Sequence, residues 1–148
     1  MTSWFNTPER QEALAIASRS WIGTPFFRDS CAKGHGVCCS KLVAEIYREC
    51  GFCNVDIPSG SVSHARFARE SLVVPFVQSL PNFFEVTPEI KLPGDLIGIQ
   101  IGRVVHHLGI VTLGTHFVHA LDKVGVTISS TDDATWASRI RYVWRPMP

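Results

Sequence analysis

The chain has 148 residues, 45% of them hydrophobic, and a formal charge of +1 at neutral pH. That length fits one domain, 1–148, around one core, and the near balance of acids and bases gives no basic face for nucleic acid or an anionic membrane. No apolar run is long enough to span a bilayer. The start, Met1-Thr2-Ser3-Trp4-Phe5-Asn6, lacks the basic-then-apolar pattern of a secretory signal, so the expectation is a soluble protein, cytoplasmic when made.

In chain order, Thr7-Pro8 reads as an N-cap with proline at the first helical position, which predicts a helix to about Trp21 before Gly23-Thr24-Pro25 breaks it. A loop with Gly34 and Gly36 follows. Leu42, Val43, Ile46, Tyr47 and Cys50 then recur at steps of three and four, the pattern of a helix burying one face, and Gly51 stops it. The stretch 54–91 is broken by Pro58, Pro75, Pro81 and Pro88 and reads as an insertion with two short helix-compatible pieces, 63–70 and 74–80. After the Leu92-Pro93-Gly94-Asp95 turn, five β-like runs are predicted at 96–101, 106–112, 117–120, 124–129 and 140–144. Helices first and strands later make an α+β domain, with N-terminal helices on an antiparallel sheet of about five strands.

Cys39 sits where the glycine loop enters the second helix, so the positive end of the helix dipole favours its thiolate. Leu42, Val43 and Ile46 share its helix face, which turns the thiol toward the sheet. On that sheet, a hairpin centred on Leu113 would place His107 directly opposite His119, close enough for one imidazole to fix the other's tautomer. His106 would then project to the other face, and a slip of one residue would exchange it with His107. Taken singly, a cysteine at a helix start is ordinarily a small buried hydrophobe, and strand histidines are ordinarily packing residues. Their combination gives a nucleophile, a base and an orienting group. Five cysteines, an odd number, leave at least one thiol free.

Five segments, Gly23-Thr24-Pro25-Phe26, Gly36 to Val43, Pro93-Gly94-Asp95-Leu96, His107-Leu108-Gly109-Ile110 and Phe117-Val118-His119-Ala120, resemble the papain-like NlpC-type cell-wall cysteine peptidases in order and spacing. The resemblance implies a cysteine, base and orienter at Cys39, His107 and His119, substrate contacts at Phe26, Cys38 and Ser40, and no metal or cofactor. It implies cleavage of amide bonds in peptidoglycan stem peptides, often next to D-glutamate. The first segment, the glycine-cysteine loop and the stretch from Trp136 to Pro146 look most like short members encoded with phage tails and gene transfer agents, so tail proteins are implied partners. The chain departs from the family pattern at Cys38, where Asp is usual, at Lys41, where Gly is usual, and at Phe26, where Tyr is familiar. Other readings are an acyltransferase or thioesterase on the same scaffold, a non-catalytic tail or wall-binding module, and a structural zinc site drawing on Cys31, His35, Cys38, Cys39, Cys50 and Cys53. The helix between Cys39 and Cys50 separates its two ends by roughly 16 Å, too far for one ion.

Overall fold

The computed structural model describes residues 2–52 and 70–148. Thr7 caps the first helix, α1 (Pro8–Trp21), by accepting from the Arg10 N–H, with proline at the helix start as the sequence predicts. The segment 23–26 then runs as a strap between two other elements. Gly23 donates to the Val126 carbonyl and Val126 donates back to Thr24, while Val37 donates to the Pro25 carbonyl. Gly125 permits the approach: its φ is +93°, and a Cβ there would lie 2.6 Å from the Thr24 oxygen.

The glycine loop is not irregular, as the sequence suggested, but closes into a small hairpin of β1 (Cys31–Ala32) and β2 (Gly36–Val37). It leads into α2 (Cys39–Glu49), which buries Cys39, Leu42, Val43, Ile46 and Tyr47 on one face. Of the two helical pieces predicted in 54–91, the second is found as α3 (Val73–Ser79), and 63–69 lies outside the described residues.

The sheet has six antiparallel strands rather than about five, in the order β3-β8-β4-β5-β6-β7. The added strand is β3 (Phe83–Val86), which pairs with β8 (Ile140–Pro146). Its four residues follow Pro81 and Asn82 and show no clean alternation, so only pairing with a distant strand reveals it. β4 (Leu96–Ile101), β5 (Val104–Val111), β6 (His116–Leu121) and β7 (Gly125–Ser130) stand close to their predicted positions, and the short helix α4 (Ala134–Ala137) links β7 to β8.

Period-two alternation gives the sheet two faces. Leu96, Leu108, Ile110, Val118, Ala120 and Val126 pack against Cys39, Leu42 and Val43 of α2. Ile97, Ile99, Val111, Phe117 and Val143 form a second cluster on the far face, under Trp136 of α4. β5 departs from regular pairing on both of its edges. Opposite β4 the pairing runs Ile99↔His107 and then Gln100↔Val105, which leaves His106 as the extra residue of a bulge. Toward β6 the ladder holds only Ile110↔Val118 and Val111↔Phe117, so the two strands part beyond Ile110.

Candidate active site

Cys39 is the first residue of α2, with Cys38 at the cap in extended conformation (φ −102°, ψ 171°). Its sulfur lies where β5 has parted from β6. There the thiol is 3.9 Å from the His106 carbonyl oxygen, and the Leu108 backbone N–H lies near enough to favour its thiolate. These two groups flank His107 along the backbone. Val111 exchanges its bonds with the β4 side, through Gly94 and Asp95, so Leu108 three residues earlier presents its N–H to the opposite edge, where the thiol takes the place of a β6 partner.

His107 and His119 do meet, but by a different route from the one predicted. The β5–β6 pairing is centred on Gly114 rather than Leu113, so His119 is a diagonal neighbour of His107 rather than its opposite. Both rings still share a face, and Nε2 of His107 lies 2.8 Å from Nδ1 of His119. Gly109 makes room for this: a Cβ on it would come within 2.9 Å of Phe117 and 3.5 Å of the His119 Cβ.

That face is the far one, away from α2. The rings contact Phe117 and Trp136, with Phe117 4.4 Å and Trp136 5.0 Å from His119 between ring centroids. The thiol does point toward the sheet, as its helix face predicts, and there it meets the β5 backbone at His106, next to His107. Among the described residues no hydrogen bond joins Sγ to either ring. Val105 and Leu108, three residues apart, both pack in the α2-side core, so β5 breaks strict alternation once at the bulge.

Burial dominates the electrostatics. It pushes the Cys39 thiol up to about 12, with the neighbouring Cys38 thiol adding to the rise and the N–H groups of Leu108, Ser40 and Cys39 opposing it. The helix start does favour the thiolate, as the sequence predicts, but burial opposes it more strongly. A helix N-terminus contributes ~0.3–1 kcal/mol, whereas one pKa unit is about 1.4 kcal/mol. Burial and the nearby His119 hold His107 down to about 3, and burial holds His119 down to about 4. His106 is lowered by burial as well. Burial therefore favours the neutral form of the thiol and of both imidazoles.

Of the three expected substrate contacts, only Phe26 keeps exposed surface, bridging to Val37. Cys38 and Ser40 are fully buried, and their side chains lie 3.7 Å apart. Two residues escaped sequence reasoning. Ser129 Oγ is 2.8 Å from Nε2 of His119, and Trp136 covers both imidazoles. Ser129 could have been found from the β6–β7 register, where Phe117 faces Ser129 and His119 faces Thr127, which puts a hydroxyl diagonal to the histidine. Among the described residues no three His, Cys, Asp or Glu side chains group as a metal site, and no helix is long and apolar enough to cross a membrane. Cys53, one of the cysteines weighed for zinc, lies outside them.

Residues 23–145 match the family model described as the NlpC/P60 family. No curated protein sequence matches the chain. Its fold is similar to that of a lipoprotein-like NLP/P60 family protein of Staphylococcus aureus, with TM-score 0.69 and 18% identity over 100% of this chain and 45% of that one. It is similar also to the NlpC/p60 domain of the peptidoglycan hydrolase SagA, with TM-score 0.58 and 19% identity over 90% and 96% of the two chains. A third similar fold is RipD of Mycobacterium tuberculosis, a non-catalytic NlpC/p60 domain protein adapted to peptidoglycan binding, with TM-score 0.56 and 15% identity over 92% and 96%. The chain spans less than half the length of the staphylococcal protein.

Proposed function

The chain belongs to the NlpC/P60 family, and from that premise we propose that it is a cysteine peptidase hydrolysing amide bonds in peptidoglycan stem peptides, with Cys39 as nucleophile, His107 as base and His119 as its orienter. One observation carries the proposal: the thiol is held against the strand backbone on both sides of His107, whose Nε2 is engaged by His119. Nδ1 of His107, which has no hydrogen-bond partner among the described residues, is the nitrogen left to accept the thiol proton. Because the thiol rests neutral, proton transfer accompanies attack on the amide carbonyl instead of preceding it. His107 then returns the proton to the leaving amine, and water releases the acyl group by the same path in reverse. The N–H groups at the start of α2 lie beside the sulfur and are the first donors for the oxyanion.

Cys39 and His119 are fully buried and His107 is 4% exposed, so the acyl group reaches the sulfur only as neighbouring side chains make way. The likeness of the Gly23–Phe26, Gly36–Val43 and Trp136–Pro146 stretches to short tail-associated members supports a protein made in the cytoplasm and carried to the wall on a phage-like particle. Burial of Cys39 favours one second reading, a non-catalytic wall-binding module, which is the role described for RipD.

The test incubates wild type and Cys39→Ala with muropeptides and follows the products by mass spectrometry. Newly cut stem peptides from wild type alone are expected. Equal inactivity, with both proteins sedimenting with insoluble peptidoglycan, would replace the peptidase with the binding module.

A further inference from the structure

The histidine pair does not end at His119. Its second ring nitrogen lies 2.8 Å from Ser129 Oγ, on the neighbouring strand β7. The geometry points to Ser129 as a positioning residue that sets the protonation pattern of both imidazoles, a role that rests on the peptidase reading above.

Counting hydrogens fixes the direction of the chain. A neutral imidazole has one N–H and one lone pair. For Nδ1 of His107 to accept the thiol proton, its own hydrogen must be on Nε2, and that hydrogen must be donated to Nδ1 of His119. His119 then carries its hydrogen on Nε2, and its partner among the described residues is Ser129 Oγ. The opposite arrangement, with Ser129 donating, runs the chain backwards and places a hydrogen on Nδ1 of His107, where it blocks the base. The acceptor at the end of the relay therefore decides whether the first ring can work. Among the described residues no carboxylate hydrogen-bonds to either ring, so the hydroxyl occupies the place where an acceptor-only group would lock the direction.

Burial makes the serine necessary. His119 is fully buried, so water cannot stand in for the missing acceptor without disturbing the Phe117 and Trp136 packing around the ring. Ser129 is half-buried, and its hydroxyl can pass its own hydrogen bond outward. It touches neither the sulfur nor the reacting atoms.

The experiment compares wild type, Ser129→Ala and Ser129→Asp. Histidine tautomers are read by long-range ¹H–¹⁵N NMR, and muropeptide hydrolysis is followed in parallel. In wild type both rings are expected as the Nε2–H form near neutral pH. Ser129→Ala should shift His119 and His107 toward the Nδ1–H form and lower kcat about tenfold with KM unchanged, as expected for one orienting hydrogen bond. Ser129→Asp, an acceptor without a hydrogen, should restore the Nε2–H form. Unchanged tautomers and rate in Ser129→Ala would overturn the inference while leaving the peptidase intact. If wild type cuts no muropeptide, the peptidase reading fails and the tautomers alone decide the relay. Should Ser129→Ala not fold, the Ser129→Asp spectra decide, since tautomers unlike those of wild type overturn the relay.

Discussion

At the scale of single residues, the site is governed by burial more than by the helix that carries it. Cys39 is at a helix start, the position that ordinarily lowers a thiol pKa, yet removal from water pushes it to about 12. Alkylation by iodoacetamide, followed at Cys39 by peptide mapping, should therefore rise about tenfold per pH unit from pH 7 through 10, because the thiolate fraction does so far below its pKa. A plateau reached by pH 8 would instead mean a thiolate paired with a charged His107. The three candidate residues were nominated from the sequence, by the segments around Cys39, His107 and His119. Their charge state was not legible there, because it depends on burial by Leu108, Val118 and Ala120 around Cys39 and by Phe117 and Trp136 around the rings, side chains that arrive from elements far along the chain.

At the scale of elements, the position of β5 depends on how its neighbours are anchored. Asp95, at the turn before β4, is fully buried and accepts from Arg145 of β8 at 3.0 and 2.8 Å, and from the Leu92 N–H at 2.8 Å. This pair fixes the turn to the sheet. Arg145→Leu would strand the carboxylate without its cation, and should lower unfolding stability by about 3–5 kcal/mol, read by urea denaturation. Adding Asp95→Asn should recover part of the loss, since no buried charge then remains. The local patterns of α1, α2 and β4 to β8 were readable because each is written in its own run of residues. The bulge at His106 and the parting of β5 from β6 were not, since both are settled by which partner a strand finds.

For the whole molecule, two buried neutral histidines couple the fold to pH. In the unfolded chain each titrates near 6.5, whereas in the folded protein protonation is held off until about 3 and 4. Between those values the unfolded state binds more protons, so stability is full above about pH 6.5 and falls as acid is added toward the folded pKa values. Urea midpoints measured from pH 7 to 5 should fall more steeply for wild type than for the His107→Asn/His119→Asn double variant. Parallel slopes would show that the pair is already hydrated. The sequence by itself determined the α+β class and the places of α1, α2 and β4 to β8, and it nominated Cys39, His107 and His119, because periodicity, capping and motif spacing are properties of neighbours along the chain. The tertiary structure alone decided that β3 joins the sheet, that the thiol meets the β5 backbone at His106, and that Ser129 stands at the end of the imidazole pair. Each of these depends on residues distant in sequence meeting where water is excluded, and there pairing and desolvation outweigh local preference.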